Sequence, residues 1–137
     1  MTSLLLLNLT ATWIMVGIIW MVQHVHYPLM AHTGPVHSAP YQRLHVRKMA
    51  TLVIPIMLTE GAAAVAICLS SPTPAAWLSL LLLSLIWLIT GLMSVPAHDK
   101  LVNHFSHSAH QALMRSNLLR SLLWSLRGLL AVHMVLH

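Results

Sequence analysis

The sequence predicts an all-α fold, an integral membrane four-helix antiparallel bundle, and three observations carry that reading. The 137 residues are 58% hydrophobic and only 7% charged, with positive mean hydropathy, whereas a soluble domain typically carries about 25% charged residues. At roughly 20 apolar residues per span, a chain of this length accommodates about four membrane helices. The basic side chains Arg43, Arg47, Lys48, Lys100 and Arg115 gather around two of the three connections between those helices.

The elements follow in order. The first helix is expected over about 4–27 and stops at Pro28. The second is expected over about 45–69, with Pro55 inside as a kink, because membrane helices tolerate internal proline. Ser70-Ser71-Pro72-Thr73-Pro74 ends it in an uncharged hairpin. The third is expected over about 75–95, stopped by Pro96, and the fourth over about 106–136. Together they form a single transmembrane domain. Between the first two helices, Gly34, Pro35 and Pro40 predict an irregular or partly helical surface loop over about 29–44. The third connection, about 97–105, is expected to be short and polar. Cys68, the single cysteine, has no partner for an internal disulfide and reads as an apolar-run residue.

The basic residues also set a topology. The positive-inside rule places the first and third connections in the cytoplasm and both termini outside, in a multi-pass protein of the inner (cytoplasmic) membrane. No basic n-region precedes the first apolar run, so a cleaved signal peptide is not expected. The formal charge of +5 is too sparse and too embedded to suggest nucleic acid. The lipid bilayer is the expected partner.

Histidines carry the first chemical signal. Of eleven, His24, His26, His32, His37, His45, His98, His104, His107 and His110 belong to the half of the chain around the basic connections. All but His24 lie at or beyond the expected membrane edge, and only His133 and His137 belong to the opposite side. Antiparallel packing brings His26, His45, His98 and His110 to one level. Neutral imidazole ligates iron, copper and zinc, so these four are the candidate ligands of a transition metal. A pair of them could instead be axial ligands of a heme. His104, His107 and His110 also suit an amphipathic interfacial turn.

Helical projection at about 100° per residue gives each helix an inward polar stripe. Trp20, Gln23, His26 and Tyr27 share a face of the first helix. His45, Leu52, Ile56 and Glu60 lie on one side of the second. Ser84, Trp87, Thr90, Ser94 and His98 line the third, and His110, Asn117, Arg120, Trp124 and Arg127 the fourth. An ionisable group in hydrocarbon costs several kcal/mol unless paired or in a wet cavity. Glu60 lies about 22 Å along its helix from His45, at a depth matching Arg127. It reads as an ion-pair partner of Arg127 or as a proton relay. Arg120 and Asn117 read as a cradle for an anionic substrate group. Tyr27, Trp20, Trp87 and Trp124, with Gln23, are the side chains expected around a cofactor or hydrophobic small molecule, with core packing as the alternative for the aromatics. No Ser-His-Asp or Cys-His arrangement shares a depth, and no phosphate-binding glycine loop is present.

Val95-Pro96-Ala97-His98-Asp99-Lys100-Leu101, followed by Asn117 and Arg120, resembles the pattern of small four-helix membrane proteins grouped with the anthrone oxygenases. Gln23-His24-Val25-His26-Tyr27-Pro28-Leu29 and the segment from Tyr41 through His45 to Glu60-Gly61 are similar to a bacterial branch of that group to which no activity is attached. Where the group often carries asparagine this chain has His98, which adds a candidate ligand. The resemblance implies an oxygenase-like oxidoreductase acting on a hydrophobic, aromatic or quinone-like substrate. Two alternatives stand beside a metal-dependent enzyme: a heme-binding electron carrier, and a transporter or structural bundle without metal. Four short helices leave little room for alternating access unless the protein forms a homo-oligomer.

Overall fold

The computed structural model describes residues 1–137, apart from the side chain of Pro35. It is all-helical, with no strand among the described residues. Four helices are long and apolar enough to cross a membrane. They are α1 (Thr2–Met30), α2 (Pro35–Ser70), α3 (Pro74–Asn103) and α4 (His107–Leu136). Each packs on the next, and α4 returns to α1. With such short connections this is an antiparallel, up-down-up-down bundle.

Bilayer as solvent explains the pattern of burial. Leu6, Leu7, Leu81, Leu88, Leu122, Leu126 and Leu129 point outward, while Asn8, Thr12, Glu60, Ser79, Asn117, Ser121 and Arg127 are buried between the helices. A soluble bundle has the reverse arrangement. Lipid solvates the outer leucines, and polar groups must then find partners inside.

Local sequence sets the helix ends. Gly34, at φ +75°, makes the turn that a β-carbon would strain. Pro35 follows as the first residue of α2, where its missing N–H costs nothing. Thr73 and Ser106 cap α3 and α4, their hydroxyls accepting from the Ala76 and Ala109 amides.

The helices are longer than expected at the basic end. The loop anticipated over about 29–44 is helical from Pro35 onward. At 36 residues, α2 is about 54 Å long against about 30 Å of hydrocarbon, so the added turns carry Arg43, Arg47 and Lys48. Nor do Pro28 and Pro96 stop their helices. Each is preceded by a π-helical turn, Val22–His26 in α1 and Thr90–Ser94 in α3. Tyr27 N–H reaches back to the Val22 carbonyl, and Val95 N–H to that of Thr90. This widened turn takes up the steric clash of the following proline ring, so the chain continues as helix.

The π turn also moves one predicted face. Inserting a residue shifts everything beyond it by about 100°, so the stripe drawn back from His98 fails above Thr90. Ser84 faces outward, Trp87 moves to the edge of the α2–α3 contact, and Ser79, Leu82, Leu83 and Ile86 are buried instead. On α2, Leu52 is likewise exposed. The face between His45 and Glu60 runs through Met49 and Val53, leaving Leu52 at its edge.

Candidate functional site

A cavity of about 220 Å³ runs down the bundle from the basic end. Met15, Ile18, Ile19 and Val22 of α1, Met49, Val53 and Met57 of α2, and Thr90 of α3 form its walls. Tyr27, His45, Ser94, His98, Asn117 and Arg120 form its polar part. Both π turns border it. Such turns recur at functional sites because they displace the local register and turn side chains inward. The rim includes Ile54 and Val95, about half exposed on the outside of the bundle (53% and 47%). The lining therefore reaches the outer surface of the bundle between α2 and α3.

Three of the four candidate metal ligands come together. His26 stacks on His45 with ring centroids 4.1 Å apart, and His98 lies 5.6 Å from His45. The rings are nevertheless engaged in other contacts. Gln42 donates through Nε2 to His98 Nδ1. His98 Nε2 lies 3.1 Å from Tyr27 Oη, which closes a hydrogen-bonded chain from Gln42 through His98 to Tyr27. The Tyr41 hydroxyl is 3.1 Å from His26 Nε2. Parallel stacked rings direct their in-plane nitrogens side by side and not at a common point, and rings stacked at this distance leave no room for a porphyrin between them. Among the described residues, no group of three or more His, Cys, Asp or Glu side chains is arranged to hold a metal ion.

His110 is the exception at the expected level. It is buried, but its Nε2 donates to the Tyr27 backbone carbonyl at 2.8 Å and its ring packs against Phe105. It braces α4 against α1 and is not part of the imidazole group.

Arg120 and Asn117 do line the cavity. Side chains on a helix lean toward its N-terminus, so the Arg120 guanidinium reaches back toward the histidine level. Its Nη1 donates to Ser94 Oγ at 3.1 Å. Ser94 in turn donates to Ser116, whose hydroxyl donates to the Leu113 carbonyl. The guanidinium carbon lies 5.4 Å from the centre of the Trp124 ring. Arg120 is only 6% exposed, and among the described residues its Nε has no hydrogen-bond partner. Asn117 donates to the Ile19 carbonyl and to Gln23 Oε1, while its Oδ1 has no partner among the described residues.

The remaining predicted residues lie elsewhere. Gln23 holds Asn117 and does not line the cavity. None of Trp20, Trp87 and Trp124 lines it either. Trp20 donates to Ser125. Trp87 packs at the α2–α3 contact, where a β-carbon on Gly61 would sit 3.0 Å from its ring. Trp124 Nε1 donates to the Glu60 carboxylate at 3.2 Å.

Glu60 lies outside the cavity, in an ion pair with Arg127 at 0% exposure for both side chains. Thr12 donates to Glu60 at 2.8 Å and accepts from Arg127 at 2.6 Å. Arg127 also donates to Asn8 Oδ1 at 2.8 Å and to the Ser79 carbonyl at 3.1 Å. All four helices contribute to this knot. Sequence reading missed Gln42, Tyr41, Asn8 and Thr12. Asn8 and Thr12 had a usable signal, two polar residues one turn apart in a leucine-rich run. Gln42 had one too, a turn before His45 on the same side.

No family model, curated protein or solved structure matches the chain.

Proposed function

We propose that this protein is a membrane-embedded enzyme that admits a hydrophobic small molecule from the bilayer and exchanges protons with its polar end through Tyr27 and His98. The observation that carries this reading is the cavity itself. Its apolar walls reach the outer surface of the bundle, and its polar part joins Tyr27, His98 and Gln42 in one hydrogen-bonded chain. Positioned groups of this kind contribute proton transfer worth about 100- to 10,000-fold in rate. The reading agrees with the oxidoreductase or oxygenase-like activity that the resemblance to the anthrone-oxygenase group implies. In this proposal the basic end faces the cytoplasm, and a periplasmic reporter fused to the C-terminus should be active.

The test is incubation of the purified protein, in lipid discs with an added extract of lipophilic metabolites and air, followed by mass spectrometry. Wild type should convert at least one extracted compound. Tyr27→Phe should slow that conversion by about 100-fold or more. No conversion by wild type, or equal conversion by Tyr27→Phe, would reject the proposal.

A second reading, a transition-metal centre, is favoured by the gathering of His26, His45 and His98. These three would hold the ion once the His26 and His45 rings unstacked and His98 turned away from Gln42, and the ion would supply Lewis acidity or redox chemistry there. Metal analysis of protein purified without a histidine tag checks it. Alanine at any of the three should strip metal, and His37→Ala should not. A visible spectrum separates heme from a bare ion.

A further inference from the structure

We infer that the ligand of the cavity is a lipophilic carboxylate, its head held by Arg120 and its chain leaving between α2 and α3. This rests on the reading of the cavity as a lipid-facing ligand site and adds the chemical class of the ligand.

Charge is the first reason. The chain has two acidic side chains. Glu60 is committed to Arg127, and Asp99 is exposed on the terminal turns of α3. Arg120 is thus a buried cation with no carboxylate of the protein beside it. A buried charge left unpaired is strongly unfavourable, and a planar guanidinium is shaped to bind a carboxylate through two parallel N–H donors. With Nη1 held by Ser94 and Nε buried without a partner among the described residues, the Nε–Nη2 edge is the one a carboxylate would take after a small shift of the side chain. Arg120 is the only guanidinium or ammonium group among the cavity-lining residues, so a singly charged head matches it and a phosphate dianion does not.

Shape is the second reason. The cavity is smaller than the roughly 300–1,000 Å³ of sites that enclose a whole small molecule. It has room for a head and the start of a chain, and the half-exposed rim at Ile54 and Val95 lets the rest lie against lipid. Met15, Met49 and Met57 give walls that adapt to a flexible chain. Third, Asn117 is among the lining residues, and its buried Oδ1 has no donor among the described residues. A hydroxyl beside the carboxylate would supply it, so a 2-hydroxy acid should bind more tightly than the plain acid.

The experiment measures equilibrium binding to the full chain in phosphatidylcholine discs, at a pH where the acids are ionised. The probes are dodecanoate, 2-hydroxydodecanoate, dodecanol, dodecyl phosphate and acetate. Dodecanoate should bind roughly 10- to 100-fold more tightly than dodecanol, the worth of a hydrogen bond to a charged group. The 2-hydroxy acid should gain up to about tenfold more. Arg120→Gln should abolish the preference of acid over alcohol, and Arg120→Lys should restore part of it. Ile54→Trp, on the outer surface and harmless to the core, should weaken both ligands by narrowing the mouth. Equal binding of acid and alcohol would overturn the inference, as would an unchanged preference in Arg120→Gln. Dodecyl phosphate binding as well as the acid would point to a phospholipid headgroup and overturn it. Acetate competing at dodecanoate's concentration would make this a small-anion site and overturn it too. Binding is read without turnover. Carboxylate binding without conversion therefore counts against the enzymatic reading alone, and conversion of uncharged compounds counts against this inference alone.

Discussion

Arg120 and Arg127 lie on the same face of one helix, about two turns apart, and meet opposite surroundings. Arg127 is enclosed by Glu60, Thr12, Asn8 and the Ser79 carbonyl, contributed by the other three helices. Arg120 donates to one serine and otherwise faces a cavity. Trp124 stands between them, its indole N–H on Glu60 and its ring against Arg120. The difference separates structure from function within one residue type. A guanidinium whose donors are used up inside the bundle holds helices together. One with an unpartnered donor beside a cavity is, in the proposal above, the group that a ligand would engage.

The largest effect is expected at the enclosed site. Glu60→Gln or Arg127→Met alone leaves a buried charge unpaired, which typically costs about 3–5 kcal/mol. The doubly substituted protein should recover much of that loss, because removing both charges also removes their desolvation penalty. Reversible unfolding in detergent, analysed as a double-mutant cycle, checks this. Simple addition of the two losses would mean that the pair is not a unit, and Glu60 would return as a candidate for proton transfer.

How much of this was legible in the sequence follows from which helices are regular. Between its ends α4 has neither proline nor π turn, and all five of its predicted inward residues, His110 to Arg127, are buried. On α3 the same projection fails above Thr90, because the π turn inserts a residue that no constant angle anticipates. Depth was readable, and it correctly brought His26, His45 and His98 to one level and paired Glu60 with Arg127. Ring orientation was not. It is set by Gln42, Tyr41 and the Tyr27 carbonyl, acceptors and donors whose positions depend on how the helices meet. The three tryptophans show the same limit. Each indole has a polar or packing partner away from the cavity, and sequence spacing does not say which.

A smaller effect is expected at the boundary between the two arginine sites. Trp124→Phe keeps an aromatic face beneath Arg120 and removes the N–H bonded to Glu60. A hydrogen bond to a charged group is worth about 1.5–3 kcal/mol, so stability should fall by that amount while dodecanoate binding stays within about threefold of wild type. Equal damage to both properties would show that the two sites are not separable through this residue.

The smallest stability effect should come from the residue that matters most to the cavity. Arg120→Met removes a hydrogen bond to Ser94 and a cation–π contact worth about 0.5–2 kcal/mol. It also removes a buried cation that has no carboxylate partner in the protein, and that removal is favourable. Methionine fills similar length in a wall already built from Met15, Met49 and Met57, so little new empty space is created. The terms oppose one another, and unfolding free energy should stay within about 1 kcal/mol of wild type, or rise. The measurement is the same detergent unfolding applied to Arg127→Met, run side by side. A loss at Arg120 as large as that at Arg127 would mean that both arginines are structural, and the contrast between the two sites would collapse. Near-neutral stability combined with lost discrimination between acid and alcohol would place the function of α4 at Arg120 and its structural role two turns further along.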